Sequence, residues 1–160
     1  MRKRWMVWAA TAVAGLGILG TAGWLVFGPE DDPVRERRYR AESACLFTGD
    51  QGLRGPAAVP VWAGMQRASA QTRVQVTYLA AIGAPTAQNA ATYLGGLLQQ
   101  QCDLLIAVDE APVTAVTAVA AKYPKQRFVV VGGAATAANV AVVDGAEGAV
   151  YALLTDQFEE

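Results

Sequence analysis

The stretch CDLLIAVDEAPVTAVTAVAAKYPKQRFVVVGG, residues 102–133, decides the fold. It holds two short apolar runs, LLIAV and FVVV, on either side of a segment with the apolar spacing of a helix. Strands that are apolar along their whole length are typical of a parallel sheet with helices on both faces. The stretch therefore predicts one strand over 102–109, a helix over about 112–122 and the next strand over 127–132.

The same alternation continues on both sides of this stretch. Further strands are predicted over 43–49, 72–80 and 139–145. Three further helices are predicted: one over about 59–71, one that starts behind Pro85 with Thr86 as its N-cap, and one over about 146–158. The buried faces of the second and third helices are predicted at Ala87, Ala90, Ala91, Leu94, Leu97 and Leu98, and at Val113, Val116 and Val119. Strands that alternate with helices indicate βαβ units. We therefore predict an α/β domain with a doubly wound, Rossmann-like, five-stranded parallel sheet of order 2-1-3-4-5.

An apolar segment lies near the amino terminus, where MRKR is followed by 23 uncharged residues from Trp5 to Phe27. A helix needs about 20 apolar residues to span a bilayer, whereas a cleaved signal peptide has a shorter core and a small-residue cleavage site. We therefore predict an uncleaved transmembrane anchor over 1–27, a charged juxtamembrane linker over 28–42 and the α/β lobe over 43–160.

Basic residues flank this segment on both sides, so the charge rule for membrane orientation nearly cancels. Arg2, Lys3 and Arg4 abut its start, whereas an acidic run at 30–32 separates its end from the later arginines. This asymmetry favours a cytoplasmic amino terminus. We predict a single-pass protein of the cell membrane whose domain lies outside the cytoplasm.

The composition excludes several classes of function. Charge is nearly balanced, with a net charge of −1 and 17% charged residues, so no broad basic field favours nucleic acid as a partner. The sequence contains no histidine, which removes the commonest general base and metal ligand, and its two cysteines cannot close a zinc site. We therefore predict a domain that binds rather than catalyses, without a metal or cofactor.

Ligands of doubly wound sheets bind outside the carboxyl ends of the strands. The candidates there are Asp50 after the first strand, Asp109 after the third, Gly132 and Gly133 after the fourth, and Asp144 after the fifth. Their carboxylates can accept hydrogen bonds from a hydroxyl-bearing or cationic ligand, and the glycines let a ligand approach the backbone. Taken singly, each acid also fits a helix cap and the glycine pair fits a turn. As a set they predict a ligand-binding crevice.

Cys45 falls in the first predicted strand and Cys102 at the start of the third. In the order 2-1-3-4-5 these strands are neighbours, and strands about 4.8 Å apart are compatible with the Cα separation of a disulfide. Two buried free thiols fit the pattern equally well. A disulfide would place the domain in an oxidising compartment.

Four stretches together resemble the basic membrane protein family of ABC-transporter substrate-binding proteins. AAKYPKQRFVVVGG (120–133) is similar to the family's passage from third helix to fourth strand, and CDLLIAVDEAP to the strand before it. WAGMQRAS (62–69) resembles its Trp-x-Gly-Leu helix after the first strand, and EGAVYALL (147–154) its Glu-Gly-x-x-Leu helix after the fifth. The resemblance covers most of 43–160.

The resemblance implies the first lobe of a type I periplasmic-binding fold, a purine-nucleoside-like ligand and an ABC permease as partner. Among the rim residues it implies ligand contacts for Asp50 and Asp109.

The sequence departs from the family's pattern in two ways. The family's second lobe is absent from the sequence, so a two-sided cleft requires pairing with another lobe or a homodimer. The family's Phe-Asn ligand motif before the Trp-x-Gly helix reads Ala57-Ala58 here. These departures favour an alternative function as a membrane-tethered interaction or scaffold domain that has lost ligand binding.

Overall fold

The computed structural model describes residues 39–159. The predicted anchor at 1–27 and most of the predicted linker lie outside the described residues. Between 39 and 159, no helix is both long enough and apolar enough to cross a membrane.

The strands are β1 (Ser43–Thr48), β2 (Gln75–Ala80), β3 (Leu104–Ala107), β4 (Arg127–Val131) and β5 (Val140–Val143). The α-helices are α1 (Ala58–Thr72), α2 (Ala87–Gln99), α3 (Glu110–Val119) and α4 (Glu147–Phe158).

The five strands form one sheet in the order β2-β1-β3-β4-β5, and every neighbouring pair is parallel. The predicted fold class and strand order are thereby confirmed. Several strands are shorter than predicted. β2 starts three residues later than expected, at Gln75, because α1 continues to Thr72 and Arg73 then reverses the chain in the left-handed conformation, with φ of 64°.

Helices cover both faces of the sheet, and each face has its own core. On one face α1 and α4 pack over Leu46 and Ile106, and on the other α2 and α3 pack over Phe47 and Leu105. All four of these side chains are fully buried. Every side chain of β3 is buried, as its uninterrupted apolar sequence predicts.

The predicted helix faces are confirmed at their centres and corrected at their edges. In α2 the buried residues are Ala90, Leu94 and Leu97, while Ala91, expected on the same face, is exposed. In α3 the buried residues include Pro112, Ala115 and Val116, whereas Val113 and Val119 are only half-buried. The buried stripe of α2 is narrower than predicted, and that of α3 is rotated about the helix axis. Residues at the edge of an apolar stripe lie beside the sheet and contact solvent.

Gly64 marks a close approach between α1 and α4. A Cβ added at this position would lie 2.6 Å from the carbonyl oxygen of Glu147 and 3.0 Å from Cβ of Val150. The glycine therefore serves packing between two helices and not a ligand.

Asn139 secures the connection between β4 and β5, which contains no helix. Its Nδ2 lies 3.0, 2.9 and 2.9 Å from the carbonyl oxygens of Ala120, Tyr123 and Gln126, so its two hydrogens serve three acceptors and one of them is shared. These carbonyls belong to the turn that follows α3. One amide thereby fixes the start of β5 to the segment leading into β4, which lets a short loop join two parallel strands.

Candidate functional site

A cleft of about 400 Å³ opens at the carboxyl ends of β1, β2 and β3. The helices that follow β1 and β3 lie on opposite faces of the sheet, so the chain leaves these two neighbouring strands in opposite directions. Ligands of open α/β sheets bind at such a topological switch point. The cleft is lined by Gly49, Asp50, Gln51, Gly55, Pro56, Ala81, Ala84, Pro85, Thr86, Ala90, Asp109, Glu110, Ala111 and Pro112.

The carboxylate of Asp109 ties the two central strands together at the base of this cleft. Its Oδ2 accepts a hydrogen bond of 2.9 Å from the backbone N–H of Gly49. A Cβ on Gly49 would lie 3.1 Å from the same oxygen, so glycine permits this approach. Asp109 occupies the N-cap position of α3, yet its side chain makes no capping hydrogen bond there. The side chain is therefore directed across the switch point and away from its own helix.

The backbone of Asp109 is strained. Its φ of 74° and ψ of 154° lie in a region that is essentially restricted to glycine. Holding a residue with a Cβ in such a conformation costs about 1–3 kcal/mol, and residues of this kind cluster at ligand sites. The strain and the bridge to Gly49 occur at one residue, which identifies Asp109 as the centre of the candidate site.

We expect the Asp109→Gly variant to be more stable than the Asp109→Ala variant by about 1–2 kcal/mol. Both lose the carboxylate, but only glycine adopts the native backbone without strain. Urea unfolding of the two variants measures the difference. The same pair at the exposed helical residue Asp156 is the control, where glycine should be less stable than alanine by roughly 1 kcal/mol. Equal stability of the two Asp109 variants would contradict the strain.

The wall of the cleft on the β2 side is held by side chains of α2. Thr86 caps this helix by accepting a hydrogen bond of 3.2 Å from the N–H of Asn89, as its sequence position predicts. The amide of Asn89 in turn donates to the carbonyl oxygens of Ile82 and Ala84, each at 3.0 Å. These hydrogen bonds hold the loop from β2 to α2 against the first turn of the helix.

The structure brings together two of the residues expected at the rim. Asp50, which is exposed, and Asp109, which is half-buried, both line the cleft. Asp144, Gly132 and Gly133 are not among its lining residues, because β4 and β5 lie on the far side of β3 from the switch point. The carboxylate of Asp144 instead accepts a hydrogen bond of 3.1 Å from the N–H of Ala146, which leads into α4.

Several other residues that line the cleft were not predicted from the sequence to belong to a site. Pro85, Thr86 and Pro112 were recognisable only as features of a loop and two helix starts, although helices that start beside the carboxyl ends of strands necessarily border the crevice. No group of three or more His, Cys, Asp or Glu side chains within residues 39–159 is arranged to hold a metal ion.

Cys45 and Cys102 form a disulfide with a Cα–Cα distance of 5.9 Å. Both residues are buried, with 2% and 5% of their surface exposed, on the face of the sheet covered by α2. Sγ of Cys45 also lies 3.2 Å from the hydroxyl of Thr77 in β2. The bridge thereby joins β1 to the segment that enters β3, the same two strands that Asp109 joins at the cleft.

Comparison with known proteins identifies relatives in structure only. No protein-family model and no curated protein sequence matches the chain. A putative lipoprotein from Peptoclostridium difficile 630 superposes with a TM-score of 0.60 at 16% identity, over 72% of this chain and 95% of that one. A transcriptional activator of the comK gene from Bacillus halodurans gives 0.52 at 16% identity, and an ABC-transporter solute-binding protein from Aeropyrum pernix K1 gives 0.52 at 22% identity.

The two longer proteins each match over 62% of this chain, which spans only 33% and 28% of their respective lengths. The putative lipoprotein matches over nearly its whole described length. At such low sequence identity these similarities establish a shared fold. The chain thus has the broad α/β fold found in a solute-binding protein and in a putative lipoprotein.

Proposed function

We propose that this chain is a membrane-anchored, single-lobe solute-binding protein that holds a small, nucleoside-like ligand outside the cytoplasm. The observation that carries the proposal is the cleft at the switch point. At the base of this cleft, the strained residue Asp109 accepts a hydrogen bond from Gly49. The solute-binding protein and the putative lipoprotein that share the fold support it, as does the sequence resemblance to the purine-nucleoside-binding branch.

The polar groups of the cleft suit a ligand that carries hydroxyls. Among residues 39–159 the carboxylate of Asp50 has no hydrogen-bond or ion-pair partner, and only one oxygen of Asp109 is engaged. Carboxylates at the ends of neighbouring strands are suited to accept hydrogen bonds from the hydroxyls of a ribose. A volume of about 400 Å³ falls within the range of small-molecule sites.

The proposed role is binding without catalysis. Histidine is missing from the sequence, so a nucleophile paired with an imidazole base is not available. The lining residues of the cleft include no Ser, Cys or Lys as an alternative nucleophile. Recognition by carboxylates and backbone groups is the chemistry that this set of residues supports.

The anchor at 1–27 would keep the lobe at the membrane surface, and a buried disulfide favours an oxidising compartment over the cytoplasm. The partners we propose are an ABC permease that receives the ligand and a second lobe, or a second copy of the chain, that closes the open side of the cleft. Either closure would remove more of the ligand surface from water than one lobe does.

Thermal unfolding of the full chain in detergent, with and without adenosine and guanosine, tests the proposal. A nucleoside at ten times its Kd should stabilise the fold by about 1.4 kcal/mol and raise Tm by several degrees. The shift should be lost when Asp50 and Asp109 are both replaced by Asn, and it should persist in Asp156→Asn, an exposed acid of α4 outside the cleft. No shift at millimolar nucleoside would refute nucleoside binding.

A second candidate function is an interaction or scaffold domain without a ligand. It is favoured by Ala57 and Ala58, which stand where the family carries its Phe-Asn ligand motif. Ala58 is fully buried and Ala57 is exposed, so neither offers a polar group to the cleft. Purification from membranes with cross-linking separates the two functions, since transport requires a permease among the captured partners.

A further inference from the structure

A second hollow lies at the other end of the sheet, near the amino ends of β3 and β4. It has a volume of about 550 Å³, and we call it the basic hollow after its cations. Its walls include Leu98 of α2, Gln101 just beyond the end of that helix, and the segment that connects α3 to β4. Residues of that segment include Lys122, Tyr123 and Lys125, and Arg127, the first residue of β4, also lines the hollow.

The lysines of the basic hollow are available to an external partner. Lys122 and Lys125 are exposed and form no ion pair within residues 39–159. The nearby acid, Asp103, already accepts hydrogen bonds from the N–H and the hydroxyl of Ser43, at 2.7 and 3.3 Å. Arg127 donates to the carbonyl oxygen of Asp103 and to Gln157, at 3.3 and 2.6 Å. The carboxylate of Asp103 lines the hollow as well, but the cations Lys122, Lys125 and Arg127 outnumber it, so the hollow is basic and both ammonium groups are exposed to solvent.

The chain also reaches the sheet at this end. The N–H of Arg40 donates to the carbonyl oxygen of Arg73, and the N–H of Gln75 donates to that of Glu42, each at 2.9 Å. Residues 40–42 therefore lie beside the start of β2. The strands run away from this end toward the cleft, and a six-residue strand spans about 20 Å. The cleft and residues 40–42, which are among the first that the structure describes, thus lie toward opposite ends of the strands.

Two exposed tyrosines accompany the cations at this end of the sheet. Tyr39 precedes the residues that join the sheet and is 50% exposed, and Tyr123 lies in the basic hollow and is 44% exposed. Tyrosine side chains are enriched at the membrane–water interface, where the ring contacts the acyl boundary and the hydroxyl remains hydrated. Lysines beside them attract anionic headgroups over roughly a Debye length.

We propose that the basic hollow docks on anionic lipid headgroups of the membrane that holds the anchor, so that the cleft opens away from the bilayer. This proposal rests on the membrane anchoring in the proposed function. Lys122 and Lys125 contact lipid phosphates, and Tyr39 and Tyr123 lie at the headgroup level. The docked orientation leaves the carboxyl ends of the strands accessible to ligand and to a closing partner.

The test uses the full chain in nanodiscs, with one fluorophore attached at Ala121→Cys beside the hollow. The matched control carries it at Ala57→Cys, at the cleft end, and both positions are exposed. The discs contain phosphatidylcholine alone or with phosphatidylglycerol, together with a headgroup-attached quencher. We expect phosphatidylglycerol to increase quenching at position 121 by roughly twofold and to leave position 57 unchanged. Salt at about 0.5 M should remove the increase, because it shortens the screening length.

Replacing Lys122 and Lys125 together by Gln should also abolish the increase at position 121. Arg54→Gln, which removes an exposed cation at the other end of the sheet, should leave it intact. Equal quenching at positions 121 and 57, or an increase that survives in the double lysine variant, would overturn the docking. A chain that does not remain with the discs at all would instead refute the anchor.

Discussion

Replacing Cys45 and Cys102 together by Ala is expected to lower the free energy of unfolding by about 4 kcal/mol. The two cysteines are 57 residues apart in sequence, and a disulfide that closes a loop of this size restricts the unfolded chain by about that amount. In a domain of this size the loss corresponds to a fall in Tm of roughly 15 °C. Urea unfolding of the two proteins, followed by circular dichroism, measures it.

A reducing agent provides the control for the disulfide. Dithiothreitol should bring the parent protein close to the stability of the double variant, with a residual difference from the buried thiols, and should leave the double variant unchanged. If dithiothreitol, present while the chain is unfolded in urea and refolded, does not lower the stability of the parent protein, the two cysteines are free thiols in solution. The same result would remove the disulfide as an argument for a domain outside the cytoplasm.

The Gly64→Ala variant is expected to be destabilised by about 1–3 kcal/mol. The added methyl group would lie 2.6 Å from the carbonyl oxygen of Glu147, and α1 and α4 must separate to admit it. Because an oxygen of the helix backbone causes the clash, a side-chain rotation cannot relieve it. Differential scanning calorimetry should record the change as a fall in Tm of several degrees.

Gly95 in α2 offers the matched control, since an added Cβ there would meet no atom within 4 Å. Gly95→Ala should raise stability by roughly 0.5–1 kcal/mol, because alanine loses less backbone entropy on folding than glycine does. Opposite signs at positions 64 and 95 are the expected result. A Gly64→Ala protein as stable as the parent would show that α1 and α4 pack less closely than described.

The fold could be predicted from the sequence because its signals are local and repeated. LLIAV and FVVV are short and apolar without interruption, which is typical of a strand buried on both faces by helices. Thr86 behind Pro85 predicted the start of α2, which the capping hydrogen bond from Asn89 confirms. The ends of the strands were less predictable, because residues such as Arg73 leave the helix in a conformation that tertiary contacts select.

The candidate site could be predicted only in part. Topology places residues at one edge of the sheet, and this sufficed to select Asp50 and Asp109. Topology could not predict that the side chain of Asp109 leaves α3 uncapped and accepts a hydrogen bond from Gly49. This hydrogen bond depends on a backbone conformation that nothing in the residue type favours. Topology also could not exclude Asp144 from the crevice, because the distance between β5 and the switch point is set by the three-dimensional structure.

The hydrogen bond from Gly49 to Asp109 has a consequence for the charge of any ligand. The amide that an anionic group would seek at the end of β1 is already taken by a carboxylate of the protein. An incoming phosphate or carboxylate would have to expel that oxygen and then lie beside a displaced negative charge. An uncharged or cationic molecule would leave the bond intact and could bind the second oxygen of Asp109, which has no hydrogen-bond partner among residues 39–159. This hydrogen bond therefore makes the cleft less suited to an anion than to an uncharged or cationic molecule.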